Sequence, residues 1–220
     1  MTIVVATRNP GKLVEIRSAL ERAAPGLALR SLCDYPDLAE LPETADTFEG
    51  NAILKATALA GQVGLPALAD DSGLSVDALG GFPGVHSARF AGPAATDADR
   101  NAALVARLRE SGIPPDRWMA RFVCVLAVAS PRGLCATYRG ECQGRIIEEP
   151  RGSNGFGYDP IFLRPGDGRT MAEHTRDEKN ACSHRGAALA ALVADLPALL
   201  RRLGAAATAG EATQRVRGIR

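Results

Sequence analysis

Short apolar runs alternate with longer stretches of helical periodicity along this 220-residue chain. Residues 2 to 7, Thr2-Ile3-Val4-Val5-Ala6-Thr7, are nearly continuous in apolar character and end at Arg8-Asn9-Pro10-Gly11; Leu13, Ile16, Leu20 and Ala24 then recur at helical spacing. The pattern predicts a strand, a loop and a helix, in that order. A second strand is expected around Leu27 to Cys33, then a Pro- and acid-rich loop. A helix follows from about Thr47 to Val63, with Phe48, Ala52, Lys55 and Leu59 on one face. Two short strands are predicted at Ala67 to Ala69 and Leu74 to Val76, separated by a turn at Asp70-Asp71-Ser72-Gly73.

After a Gly/Pro-rich loop at Gly80 to Pro93, a helix is expected near Asp97 to Glu110. The β-branched runs Ala120 to Ala129 and Leu134 to Cys142 predict an antiparallel hairpin around Ser130-Pro131-Arg132-Gly133. Thr175-Arg176-Asp177-Glu178 matches a capping box, and Arg185 to Leu203 reads as a helix interrupted or bent at Pro197. The Ala/Gly/Thr-rich segment from Gly204 to Arg220 is expected to be a disordered tail. With no repeat and no clean linker, residues 1–203 form a single mixed α/β domain in this reading.

Composition narrows the partners. With 46% hydrophobic residues, 23% charged residues and a net charge of +1, the chain lacks the basic excess of a generic nucleic-acid binder, so any phosphate-binding charge must be local. Five cysteines (Cys33, Cys124, Cys135, Cys142, Cys182) have no C-x-x-C spacing, which argues against a disulfide framework and a structural zinc site. No signal peptide or membrane span is legible, and a cytoplasmic location is the expectation.

Five segments offer chemistry. Thr7-Arg8-Asn9-Pro10-Gly11-Lys12 stands where a strand hands over to a helix, a place suited to an anion; it lacks the G-x-x-x-x-G-K-[ST] spacing of a Walker loop, and taken alone it reads better as a plain turn with Lys12 in solvent. The adjacent carboxylates Asp70 and Asp71 repel unless a cation lies beside them, and Mg²⁺ with substrate phosphate oxygens answers that need. Asn51 and Lys55, four apart, project from one helical face, so that Lys55 can reach phosphate while Glu43 completes a metal shell. Gly152 to Pro160 presents Phe156, Gly157, Tyr158 and Asp159 in a glycine-rich setting, where a flat base can stack on Phe156 with Asp159 at its edge, or where both aromatics pack inward. Lys179, Ser183, His184 and Arg185 gather donors near a helix start; purine O6 is an acceptor and adenine N6 a donor, so such donors would favour inosine and xanthosine over adenosine. His86 and His174 are read as structural or exposed. Ser72, with no base nearby in sequence, is not expected to be a nucleophile.

In this order, these segments resemble the inosine/xanthosine triphosphate pyrophosphatase family from Ile3 to about Leu200. The resemblance is carried by Thr7, Asn9, Gly11 and Lys12; Thr47, Phe48, Asn51, Ala52 and Lys55; Ala69 to Gly73 with Val76-Asp77; Pro83-Gly84-Val85 with Ser87-Ala88-Arg89; Gly155 to Asp159; and Ser183-His184-Arg185. It implies an elongated mixed α/β fold with two lobes around a central cleft, a homodimer, and Mg²⁺-dependent cleavage of non-standard purine nucleoside triphosphates between the α and β phosphates. It further implies phosphate binding by Thr7 to Lys12 and metal ligation by Glu43 and Asp71, with Asp71 as proton acceptor. Ser72 would touch substrate, Phe156 to Asp159 with Lys179 would hold the nucleoside, and His184-Arg185 would read the base. Arg8 departs from the family, where glycine is frequent. Two alternatives stay open: a pyrophosphatase for modified pyrimidine triphosphates, and a nucleotide- or RNA-binding module without hydrolysis.

Overall fold

The computed structural model describes residues 1–217. The sheet has six strands in the order β2-β1-β3-β4-β5-β6: β1 (Thr2–Val5), β2 (Ala28–Ser31), β3 (Ala67–Val76), β4 (Met119–Ser130), β5 (Gly133–Ile146) and β6 (Phe162–Leu163). β1 pairs in parallel with β2 and β3, and the rest of the sheet is antiparallel. Five α-helices accompany it: α1 (Pro10–Ala23), α2 (Phe48–Val63), α3 (Asp97–Glu110), α4 (Arg176–Cys182) and α5 (His184–Arg217).

Local chemistry sets the helix starts. Asn9, Thr47, Thr96 and Thr175 each cap a helix by accepting a backbone N–H with the side chain, and Thr175 forms the expected capping box with Glu178. Ser183 breaks α4 from α5 in an extended conformation, and its Oγ accepts from Gly186 N at 3.0 Å. His184 and Arg185 therefore occupy the first two positions of α5.

Three apolar clusters divide the interior. One sheet face packs Leu68, Cys124, Leu126 and Val128 against α1 and α5. The opposite face packs Ala67, Ala69, Val123 and Val125 against Ala52, Ala56 and Leu59 of α2. The third cluster, beyond the middle of β3, joins Leu74 and Val76 to α3 and to Trp118, Phe122 and Phe162. The expected two lobes correspond to the sandwich formed by the first two clusters and to this third one.

Three expectations need correction. The turn at Asp70–Gly73 does not exist, because β3 runs unbroken from Ala67 to Val76 and pairs with β4 along its whole length. The interval Leu27 to Cys33 is shared between β2 and a 3-10 turn at Leu32–Asp34. Residues 204–217, read as a disordered tail, continue α5, which runs through Pro197. The alanine-rich composition of that stretch favours helix and no second proline interrupts it. Gly218 to Arg220 lie outside the described residues.

Candidate active site

β1 pairs with β3 only at Val4–Ala67 and Val5–Leu68, and Ala6 N donates to Leu68 O at 2.8 Å before the chain turns away into α1. Past that point one edge of β3 is no longer covered by β1. Asp70 and Asp71 sit on this stretch, in the strand that joins the parallel and antiparallel parts of the sheet, so the carboxylates do lie at a sheet edge, but within a strand.

The twofold alternation of a strand sends the two carboxylates to opposite faces. Asp70, fully buried, meets Lys12 Nζ, Arg185 Nε at 2.8 Å and the Cys124 thiol at 3.2 Å. Burial alone would raise its pKa, yet Arg185 and Lys12 outweigh it and hold Asp70 well below the usual carboxylate range. Asp71 faces α2, where Lys55 Nζ donates to Asp71 Oδ1 at 2.5 Å, Asp70 O at 2.9 Å and Glu43 Oε1 at 2.8 Å. For Asp71, burial outweighs the attraction of Lys55 and its pKa is raised. Lys55 is raised as well, because Asp71 and Glu43 outweigh its own desolvation.

Glu43 belongs to an irregular loop and is held from two sides. Arg89 donates to its Oε2 at 2.8 Å, and the buried Asn51 side chain accepts from Ala45 N at 2.9 Å. Asn51 thus fixes the loop while Lys55, one turn along, holds the carboxylate. Glu43 and Asp71 converge on one ammonium, and two such oxygen donors suit a hard divalent cation that fills its shell with phosphate and water.

On the other face the predicted nucleoside residues gather around a cavity of about 160 Å³ lined by Lys12, Ser72, Phe122, Phe156, Tyr158, Asp159, Lys179, His184 and Arg185, among others. Gly11 meets the ring of Phe156: a Cβ there would lie 2.8 Å from two ring carbons. Lys179 Nζ stands 4.4 Å from the Phe156 ring centroid and donates to the buried Asp159 at 2.7 Å. Asp159 also accepts from Phe156 N at 2.8 Å, which fixes the aromatic from below. The Tyr158 hydroxyl donates to Ser87 O at 2.7 Å and is buried, joining two loops.

The cluster of donors expected to meet purine O6 is largely occupied. Arg185, 1% exposed, donates to Asp70, to Glu15 at 2.7 Å and to Ser72 at 2.9 Å. Lys179 is shared between Asp159 and Glu15. His184 differs: it stacks on Phe122 with ring centroids 4.7 Å apart, and its Nδ1 is buried without a hydrogen-bond partner. Burial and the neighbouring Arg185 push its pKa well below the ordinary value, so the imidazole is neutral at pH 7.

In the loop expected to bind phosphate, Thr7 is buried while Arg8, Asn9 and Pro10 are exposed, and Gly11 and Lys12 are half-buried. Asn9 N donates to Thr7 Oγ1 and Lys12 N to Asn9 Oδ1, so two of the amides expected to face an anion are engaged within the loop. His86 is exposed, and His174 is buried between Thr170 O and Asp167. Sequence reasoning missed Glu15, which lies three residues after Lys12 on the same helical face, and Phe122, whose place in an apolar strand gave no signal.

The model of the Ham1 family matches residues 3–195. A dITP/XTP pyrophosphatase of Symbiobacterium thermophilum is 52% identical over 90% of this chain and 96% of its own length, and one of Geobacter sulfurreducens is 50% identical over 86% and 94%. Among solved structures, a HAM1 protein from Coxiella burnetii superposes with a TM-score of 0.82 at 42% identity, covering 90% of this chain and 98% of the other. A nucleoside-triphosphatase / dITP/XTP pyrophosphatase from Mycobacterium abscessus superposes with a TM-score of 0.72 at 49% identity, covering 87% and 98%. Together with the fold and the arrangement of charge around β3, these matches establish that the chain belongs to the Ham1 family.

Proposed function

We propose that the protein hydrolyses non-standard purine nucleoside triphosphates such as dITP, ITP and XTP to the monophosphate and pyrophosphate, using Mg²⁺. The observation that carries this reading is the division of labour across β3. Lys55, Glu43 and Asp71 form a charged group on one side, and a pocket with an aromatic floor and a neutral, unpartnered histidine lies on the other. Relatives named dITP/XTP pyrophosphatase at about half identity support it.

Glu43 and Asp71 would hold the metal. When bound, Mg²⁺ neutralises triphosphate oxygens and polarises the attacking water. Lys12 and Lys55 add positive charge beside the phosphates. Asp71, with its raised pKa, accepts the proton of the water that attacks the α phosphorus; the bond to the bridging oxygen breaks, and pyrophosphate leaves with that oxygen. Ser72 contacts the substrate, while Phe156 to Asp159 and Lys179 hold the nucleoside. His184 reads the base edge, and Arg185 acts through Asp70, Glu15 and Ser72 to keep that wall in place.

The catalytic unit spans residues 1–203 and works as a homodimer in the cytoplasm, without nucleic acid. The five unpaired cysteines and the balanced charge support the last two points, and family resemblance supports the dimer. Among the described residues no helix is long and apolar enough to cross a membrane.

Pyrophosphate release is to be measured across a panel of purine and pyrimidine triphosphates, with Mg²⁺ and with chelator. Turnover of dITP and XTP well above ATP and modified pyrimidines, abolished by chelator, is expected. Asp71→Asn is expected to lower kcat by about 10²–10³-fold, the scale of a lost general base. Release at the parental rate in that variant rules Asp71 out of the chemistry.

A further inference from the structure

Phe156 can serve as a platform for a base only if its backbone is held: Asp159 takes its own N–H, and the next residue, Gly157, has no side chain to anchor the turn. Phe156 and Gly157 line both the 160 Å³ nucleoside pocket and a second cavity of about 500 Å³; Asp97 reaches both, while Asn101, Val105 and Pro160 line only the second. Gly157 has φ +65°, in the left-handed region, so the turn is fixed by conformation and hydrogen bonding rather than by a side chain.

Both polar groups of Gly157 are taken by one face of α3. Gly157 N donates to Asp97 Oδ2 at 2.7 Å, and Asn101 Nδ2 donates to Gly157 O at 3.2 Å. Asp97 and Asn101 are four residues apart, one helical turn, so both side chains project from one face of α3 and converge on Gly157. Arg100 holds the other oxygen of Asp97 at 2.6 Å, so the carboxylate is fixed and charged. Asn101 is 5% exposed, and its Oδ1 is buried with no partner. Such an orphan acceptor is a cost to the fold, and an amide kept there at that cost points to the work done by its Nδ2.

We infer that Asp97 and Asn101 are positioning residues that clamp Gly157 through its N–H and its carbonyl and thereby set the height of the Phe156 ring for nucleoside binding. The inference rests on the nucleotide-binding reading of the pocket. It assigns a role in substrate affinity to α3, a helix that contributes no group to the phosphate side.

The test uses Asp97→Ala, Asn101→Leu and Asp97→Asn in the full-length enzyme. With dITP, KM is expected to rise about tenfold in Asp97→Ala and Asn101→Leu, the effect of one lost hydrogen bond, while kcat stays within about twofold of the parent. Inorganic tripolyphosphate, which carries no base and so probes the phosphate side alone, is expected to inhibit competitively with the same constant in parent and variants. Asp97→Asn retains an acceptor oxygen for Gly157 N, and its KM is expected to stay within about threefold of the parent. Asn101→Leu also removes the orphan acceptor, so its urea midpoint is expected at or above the parental value even as KM rises, which a merely structural role would not produce. Parental KM in both disruptive variants, or a tripolyphosphate constant that rises in step with KM, overturns the clamp.

A second readout needs no reaction. Exchange of the Gly157 amide, followed by NMR in substrate-free enzyme, is expected to be faster in Asp97→Ala by about tenfold or more, and unchanged exchange overturns the inference. If the parent enzyme fails to turn over dITP, the functional reading falls, and the exchange experiment still decides whether the clamp exists.

Discussion

Replacing Arg185 with Met tests whether the guanidinium is the keystone between α1, β3 and α5. The substitution keeps side-chain length and helix propensity while deleting the charge that meets Asp70 at 2.8 Å and Glu15 at 2.7 Å. Asp70 has no exposure and retains only Lys12 as a cation; Glu15, at 8%, retains Lys179 at 3.5 Å. Removing one partner of a buried ion pair costs roughly 3–5 kcal/mol, most of it from the charge left behind. Against a total stability of about 5–15 kcal/mol the fold survives. At roughly 2–4 °C per kcal/mol for a chain of this size, Tm falls by about 6–20 °C. The assay is urea unfolding followed by far-UV circular dichroism and by the fluorescence of the sole tryptophan, Trp118, whose coincidence checks two-state behaviour. With Asp70→Asn measured beside it, the double variant Asp70→Asn/Arg185→Met, which removes the Asp70 charge stranded by the loss of Arg185, is expected to lose less than the sum of the two single variants by about 2 kcal/mol or more. A single-variant loss below about 1 kcal/mol, or additivity within about 0.5 kcal/mol, refutes the keystone argument.

Three further outcomes follow from the same geometry. Gly140→Ala places a Cβ 2.1 Å from His184 O and 2.5 Å from Ala188 N, both backbone atoms; β5 and α5 must separate, and a loss of about 3 kcal/mol or more in urea unfolding is expected, with a loss under about 1 kcal/mol arguing against so tight a contact. Gly11→Ala pushes a methyl into the Phe156 ring, and KM for dITP is expected to rise several-fold while thermal stability is kept, since alanine favours the helix; an unchanged KM means that the ring gives way freely. His184 is buried with its pKa well below the unfolded value of about 6.5, so the unfolded chain binds a proton that the native one refuses. Acid therefore favours unfolding: stability is lost as pH drops below about 6.5, at up to about 1.4 kcal/mol per pH unit. Comparing urea unfolding at pH 7 and about pH 5.5 between parent and His184→Gln isolates this slope, because Asp70 and Asp159 are common to both, and equal slopes sink the argument.

Much of the fold was legible because its signals are local. The caps at Asn9, Thr47 and Thr175, the hairpin at Ser130–Gly133 and the apolar stripe of α2 are each written within a few residues. Asp70–Gly73 misled for the same reason. Asp, Ser and Gly are turn formers by local preference, and only the full pairing with β4, a partner some fifty residues away, keeps them extended. The site residues were legible as a set while their partners were not. Nothing within the sequence around Arg185 indicates that its donors are taken by Asp70, Glu15 and Ser72, or that His184 is the group left without a partner.

The placement of Asp70 and Asp71 in a strand rather than a turn changes what the pair can do. In a turn, two adjacent carboxylates would share one environment and call for one cation between them. In β3 they answer to different cations: Asp70, with its pKa held far down by Arg185 and Lys12, is a permanent anion that ties the nucleoside wall to the phosphate loop. Asp71, with its pKa raised by burial against α2 and its carboxylate on Lys55 beside Glu43, is the more basic of the two and lies with the metal-suited group. Because β3 sets both side chains one residue apart on a rigid pleat, any movement of the strand displaces the nucleoside wall and the hydrolytic group together. The edge of β3 left uncovered when β1 departs after Val5 is where the proposed function has a substrate bridge them. On the proposed function, the cleavage group and the support of the base pocket thus meet on one strand, at carboxylates that point to its opposite faces.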